Sequence, residues 1–160
     1  SDVCSSDLKE LSVILQTYSV TLRLVLKMIE WNGEHSVGIS VIDEKHKEFI
    51  DIINKVIVAK QHDNNPEKIE EVLREIIDYA WNHFRDEESY MVEFCYPEYQ
   101  YHKEEHLDFV HRANSYFKIV TSGNYQILNE ILEYLKRWLV NHIQGTDQKY
   151  VECFRKNGLK

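Results

Sequence analysis

The sequence contains few of the residues that interrupt helices or form covalent cross-links. Its 160 residues include two prolines and five glycines, so long uninterrupted helices are possible. The three cysteines, Cys4, Cys95 and Cys153, are an odd number and lie far apart, and no CxxC pair is present. This pattern argues against a disulfide scaffold and a thiolate metal site, and it favours a reducing, cytoplasmic location.

Long apolar runs and excess positive charge are also lacking. No uninterrupted apolar segment reaches the ~18 residues that a membrane-spanning helix needs, and the most apolar stretch, residues 11–29, contains Gln16, Arg23 and Lys27. The net charge of −8 disfavours nucleic acids and anionic membrane surfaces as partners. Because 43% of the residues are hydrophobic, the chain has enough apolar material for the core of one domain.

The beginning of the chain differs from the rest. Residues 1–8, SDVCSSDL, resemble the translation of a synthetic sequencing adapter, and residues 20–27, VTLRLVLK, alternate like a β-strand. We therefore expect the domain to span residues 28–160 and to start at Met28, with residues 1–27 being a leader from a mis-called reading frame. The alternative is a linker from an upstream domain.

From about residue 41 onward, the apolar residues recur with the 3.6-residue period of a helix. The spacing predicts four helices over about 42–62, 66–95, 98–121 and 125–144, and a short helical tail after Gly145. Asn65 and Pro66 are typical of a helix start, Pro97 of a stop, and the SGN sequence at 122–124 of a stop followed by a new start. Long helices joined by short turns predict an all-α, up-down-up-down four-helix bundle.

Five of the eight histidines lie on the apolar faces of these predicted helices. Four of them are three or four residues from an apolar residue of the same face, and His102 is four residues from His106; this spacing places side chains one above the other. All four helices contribute at least one of them: His46, His83, His102, His106 and His142. The other three, His35, His62 and His111, lie outside this pattern, and we expect them to be ordinary surface or loop residues.

Two acidic residues continue the same faces. Glu87 follows His83 by four residues, whereas Asp86 and Glu88 lie about 100° to either side, toward solvent. We therefore expect Glu87 to point inward with His83.

Asp147 follows His142 by five residues, a separation that a regular helix places on different faces. The helix must end or loosen near Gly145 if Asp147 is to face the same way as His142.

So many buried polar groups imply a metal centre. Burying each without a strong partner costs about 1–3 kcal/mol, which a domain of about 5–15 kcal/mol stability cannot sustain. Imidazoles with carboxylates suit iron, manganese or zinc, and these donors are too many for one ion. Two six-coordinate ions, bridged by both carboxylates and an oxide or hydroxide, leave one position open for a small neutral ligand such as dioxygen.

Four motifs together resemble those of the hemerythrin family, and more closely its single-domain bacteriohemerythrins. They are IDEKH at 42–46, HFRDEESYM at 83–91, YPEYQYHKEEH at 96–106 and WLVNHIQGTD at 138–147. The lead-in WNGEHSVGI at 31–39 is also similar. The resemblance implies reversible dioxygen binding, rather than catalysis, at two irons joined by a bridging oxide or hydroxide.

The resemblance also implies a role for each donor. One iron is expected to bind His102, His106 and His142; the other, which keeps the open position, binds His46 and His83; Glu87 and Asp147 bridge the two.

Further roles near the site are hypotheses. Phe49 and Leu139 lie one turn from a ligand histidine, where they either line the ligand pocket and slow autoxidation or simply pack in the core. Tyrosines around 90–101 are candidates for hydrogen bonds to the imidazoles.

Two alternative functions remain open. One is a di-iron oxidase or peroxidase, although ferritin-like oxidases use mainly glutamate with Glu-x-x-His pairs. The other is a sensory module for oxygen or nitric oxide. Storage, delivery and sensing of oxygen are not distinguished by the sequence.

Overall fold

A computed structural model describes residues 28–61 and 65–160, together with Ser12, Ile14, Leu15 and Thr17. The expected leader over 1–27 therefore lies almost entirely outside the described residues, as does His62. Within the described residues no helix is both long enough and sufficiently apolar to traverse a bilayer.

The described part of the chain is an all-α bundle without β-strands, as predicted. Its helices are α1 (Ser40–Gln61), α2 (Pro66–Glu93), α3 (Tyr99–Thr121), α4 (Leu128–Trp138) and α5 (Val151–Lys156). A π-helical segment, Leu139–Thr146, continues α4, and single 3₁₀ turns cover Gly33–His35, Tyr125–Ile127 and Asp147–Lys149. Helix α2 packs along α3, and α1 contacts both α2 and α4.

The predicted start of α2 is confirmed. The side-chain oxygen of Asn65 accepts hydrogen bonds from the backbone N–H groups of Glu67 at 3.1 Å and Lys68 at 3.4 Å. Pro66 occupies the first turn, where its missing N–H leaves no hydrogen bond unmade. Two of the N–H groups that a helix start leaves unpaired are therefore satisfied by one residue.

The end of α2 differs from the prediction. The helix ends at Glu93 rather than at about residue 95, and Pro97 does not terminate it directly. Cys95 adopts a left-handed backbone conformation, with φ of 52°, and the N–H of Tyr96 donates to the carbonyl of Met91 at 2.8 Å. The chain thus leaves the helix through a left-handed closing turn, two residues before the proline.

The fourth helix is not the continuous α-helix predicted over 125–144. It begins with a 3₁₀ turn and changes at Leu139 into the π-helical segment. The N–H of Asp147 donates to the carbonyl of His142, a bond that spans five residues. Because this pattern places residues five apart above one another, Asp147 returns to the face of His142. The predicted loosening around Gly145 is therefore present, as a wider helix.

The apolar core consists of two clusters. The main cluster fills the middle of the bundle and includes Phe49, Phe84 and Phe109, whereas the second lies beneath α5 and includes Tyr150 and Phe154. Buried polar side chains from α1, α2, α3 and the π-helical segment meet between these clusters, where His106 contacts Phe84 of the first and His102 contacts Tyr150 of the second. This location keeps them away from water on both sides.

Candidate metal centre

The structure brings all seven predicted metal ligands together at one buried position. None of their residues is more than 3% exposed. They come from four parts of the fold: His46 from α1, His83 and Glu87 from α2, His102 and His106 from α3, and His142 and Asp147 from the π-helical segment and its end. Titratable groups are almost never buried so completely without strong partners.

Three of the histidines form one tight group. The Nε2 atom of His106 lies 3.0 Å from that of His102 and 3.2 Å from that of His142. Two donors that bind one transition-metal ion at right angles, each about 2.1 Å away, lie about 3 Å apart. The spacing of these three nitrogens is therefore suited to binding one ion.

The other two histidines form a second, looser group. The rings of His46 and His83 meet edge to face, with centroids 5.3 Å apart. Together with Glu87 they offer three donor atoms within 4.8 Å of one another, which is a second possible metal position.

Asp147 lies between the two groups and faces both. Its Oδ2 lies 3.2 Å from Nε2 of His46. Its Oδ1 lies 3.3 Å from Nε2 of His102 and 3.2 Å from Nε2 of His142. One carboxylate oxygen is thus directed at each group.

Glu87 divides its oxygens in the same way. Oε1 lies 3.7 Å from Nε2 of His83, whereas Oε2 lies 3.4 Å from Nε2 of His106 and 3.7 Å from that of His102. Two carboxylates that each face both groups are the arrangement needed to bridge two ions.

Two further carboxylates hold the three-histidine group from behind. The Nδ1 atom of His106 lies 2.9 Å from Oε1 of Glu88, and that of His142 lies 2.6 Å from Oε2 of Glu105. Glu88, expected beside the apolar face with a route to solvent, keeps 20% of its side chain exposed and also reaches across the α2–α3 seam to His106. The sequence analysis missed Glu105, which gave no signal beyond being adjacent to His106.

These carboxylates determine which nitrogen carries the proton. Because an ionised carboxylate only accepts hydrogen bonds, His106 and His142 each donate through Nδ1, which leaves a lone pair on Nε2. The two lone pairs then face each other across 3.2 Å. This arrangement is repulsive unless a cation or an additional proton lies between them.

Several buried polar atoms of the cluster lack hydrogen-bond partners among the described residues. They include the two ring nitrogens of His46, Nδ1 of His102, Oε2 of Glu87 and both carboxylate oxygens of Asp147. More than nine in ten buried polar groups in proteins are normally paired. Unpaired nitrogen and oxygen donors that converge on the same space fit a bound metal pair.

The pKa values show how strongly these groups interact. Burial alone lowers the pKa of His142, but the charges and hydrogen bonds of Asp147 and Glu105 outweigh it and raise that pKa to about 9. At His83 burial dominates over the nearby Glu87 carboxylate and lowers the pKa to about 4. Burial raises the pKa of Asp147, yet the surrounding imidazoles bring it below its usual value. The carboxylates are thus held ionised, as metal ligands must be.

Aromatic rings enclose the three-histidine group. Phe84 stacks on His106 with ring centroids 3.8 Å apart, and Trp138 stacks on His142 at 4.0 Å. The hydroxyl of Tyr150, which the sequence analysis did not single out, donates a hydrogen bond to Oε1 of Glu87. Within the described residues, no hydrogen bond joins the tyrosines at 90–101 to a ligand imidazole.

The remaining predictions near the site have mixed outcomes. His111 is exposed, as expected. His35 does lie in a turn but is 5% exposed rather than a surface residue, and its Nδ1 accepts the N–H of Asn32 at 3.1 Å. Phe49 and Leu139 are buried in the main core cluster, and their role in a ligand pocket stays a prediction.

Comparison with known proteins agrees with this geometry. The family model of the hemerythrin HHE cation binding domain matches residues 37–154. The chain belongs to the hemerythrin family. It is 35% identical over 127 residues to a bacteriohemerythrin of Stenotrophomonas maltophilia, covering 79% of this chain and 82% of that protein. A Pseudomonas aeruginosa bacteriohemerythrin is 34% identical over 125 residues, or 78% and 80% of the two chains.

Solved hemerythrin structures share the fold. The crystal structure of a wild-type hemerythrin superposes with a TM-score of 0.74 at 28% identity, covering 79% of this chain and 98% of the other. The seven converging residues thus lie within a hemerythrin fold. Glu88 and Glu105 lie outside this set and contact His106 and His142 through their Nδ1 atoms.

Proposed function

We propose that this chain holds two iron ions and binds dioxygen reversibly between its helices. The proposal is supported by membership of the hemerythrin family and by a buried donor set whose unpaired atoms converge. Iron is favoured because mixed imidazole and carboxylate donors suit a redox-active transition metal.

The observation that carries the proposal is the division of both carboxylates between the two histidine groups. Asp147 directs one oxygen to His46 and the other to His102 and His142. Glu87 directs one oxygen to His83 and the other to the three-histidine group. Two adjacent ions that share both carboxylates account for this division of the oxygens, whereas a single ion does not.

Each group of residues then has a separate task. The three-histidine group would fill the six positions of one ion together with the two carboxylates and a bridging oxide or hydroxide. His46 and His83 bind the other ion and leave it short of one donor, so the small ligand enters there. The bound iron pair supplies the open coordination position and the electrons that reversible dioxygen binding requires.

Burial supports binding over turnover. The donor residues are nearly inaccessible to water, which favours entry of a small neutral molecule over a larger substrate. Histidine pairs four residues apart, rather than Glu-x-x-His pairs, also separate this site from the ferritin-like oxidases.

Anaerobic reconstitution with ferrous iron tests the proposal. We expect two irons per chain and a charge-transfer absorption band that appears when oxygen is added and disappears when it is removed. One ion per chain would contradict the di-iron assignment. Irreversible oxidation with release of peroxide would favour the oxidase alternative instead.

A further inference from the structure

Tyr79 has a buried hydroxyl that nothing in the described structure satisfies. The residue is 5% exposed, and its hydroxyl has no hydrogen-bond partner among the described residues. Buried tyrosine hydroxyls usually find a partner, as those of Tyr150 and Tyr116 do by donating to Glu87 and to Glu130. An unused donor in a tightly packed bundle is costly unless a ligand uses it.

The ring of Tyr79 lies against the two-histidine group. It is one helical turn before His83, and the two ring centroids are 5.2 Å apart. On its other side it stacks on Phe49 at 5.3 Å, and Phe49 follows His46 by one turn. Tyr79 therefore belongs to the layer of side chains directly beside the less saturated metal position.

Burial and the negative charges of Glu87, Asp147 and Glu48 act on the Tyr79 hydroxyl. Burial is the main cause that raises the pKa of Tyr79, and the next are the negative charges of Glu87 and Asp147. A phenol hydroxyl both donates and accepts hydrogen bonds, and toward an anionic partner it acts as the donor.

We propose that the Tyr79 hydroxyl donates a hydrogen bond to the small ligand held at the two-histidine ion. This inference rests on the proposed function and adds a specificity-determining residue to it. A ligand that carries negative charge, or gains it on binding, benefits from a charge-assisted hydrogen bond in a site that excludes water. A ligand that stays neutral and apolar gains little from the same hydroxyl.

Azide is a suitable probe because it is a small anion that can accept this hydrogen bond. The test variant is Tyr79→Phe, which removes only the hydroxyl. We expect azide to bind about ten- to a hundredfold more weakly to the iron-loaded variant, as the loss of a hydrogen bond to a charged group implies. The matched control is Tyr116→Phe, which removes the hydroxyl of another buried tyrosine, one that donates to Glu130, and leaves azide affinity at the parent value.

Two further measurements separate a ligand contact from a structural effect. Iron content stays at two per chain in Tyr79→Phe, and the melting temperature of the ion-free variant is equal to or above that of the parent, because an unsatisfied buried hydroxyl has been removed. The infrared stretch of bound azide shifts between H₂O and D₂O in the parent, and this shift is smaller in Tyr79→Phe.

Equal azide affinities in the parent and Tyr79→Phe, with two irons in each, would overturn the inference and leave the proposed function intact. An unchanged isotope shift in the variant would have the same meaning. A parent protein that holds fewer than two irons would instead count against the proposed function itself.

Discussion

The two halves of the metal centre are built differently although they share two carboxylates. At the three-histidine group, Glu88 and Glu105 hold two imidazoles from behind, and aromatic rings stack on both. At the two-histidine group, the described residues provide no hydrogen-bond partner for Nδ1 of His46 or for the hydroxyl of Tyr79. Imidazoles backed by carboxylates are more basic and better oriented. Under the proposed function, we therefore expect the first half to retain its ion more tightly and the second to receive the ligand.

Removing a shared carboxylate should abolish iron binding at both histidine groups. We expect Glu87→Ala to bind less than one iron per chain, because both histidine groups lose a donor and a fully buried pocket of imidazoles is left uncompensated. Metal analysis after anaerobic reconstitution measures this. The exposed neighbour Asp86, which pairs with Arg85, provides the control variant Asp86→Ala, and full iron loading of Glu87→Ala would contradict the assignment.

Weakening the support of one imidazole should act on the three-histidine half alone. In Glu105→Gln a neutral amide replaces the carboxylate that holds His142, and loss of such a partner typically lowers metal affinity about 10- to 100-fold. Competition with a coloured chelator, with Zn²⁺ as the probe, measures the tighter of the two ions. The exposed adjacent residue supplies the control Glu104→Gln, and a tight-site affinity equal in both variants would argue against the supporting role.

The pH dependence of metal binding should be determined by His142 of the three-histidine group. The pKa of His142 in the ion-free protein is raised to about 9, so below that pH the ring holds a proton that a metal ion must displace. We therefore expect affinity to rise from about pH 6 to about pH 9, by about tenfold per unit for one displaced proton. Calorimetry with Zn²⁺ in two buffers of different ionisation enthalpy counts that proton. An affinity that is constant over this range would exclude the displacement.

The smallest expected effect concerns the proposed pocket for the small ligand. Leu139→Ala should increase the autoxidation rate several-fold relative to Leu135→Ala, because only Leu139 lies one turn before His142 while both leucines are buried in the same core. Each truncation costs about 2–5 kcal/mol of stability, so the paired comparison removes the general effect of a cavity. Equal autoxidation rates in the two variants would mean that Leu139 only packs the core.

Much of this architecture could be predicted because it depends on local rules. A helical period of 3.6 residues places His46 and Phe49 on one face without reference to any other helix, and Asn65 caps α2 through its immediate neighbours. The end of α2 was less predictable, because the left-handed conformation of Cys95 has no signal as clear as a glycine. The predicted loosening before Asp147 followed from geometry, but its form as a π-helix did not.

The sequence by itself determined the helical class, the inward faces of the helices and the seven side chains that share them, because periodicity along one helix is a local property. Only the tertiary structure decided which atoms meet between helices. Glu105 contacts His142 from another helix, Glu88 contacts His106 across the α2–α3 seam, and the Tyr79 hydroxyl has no partner in the part of the chain that the structure describes. These contacts depend on how neighbouring helices are rotated and spaced, and no pattern within a single helix encodes that relation.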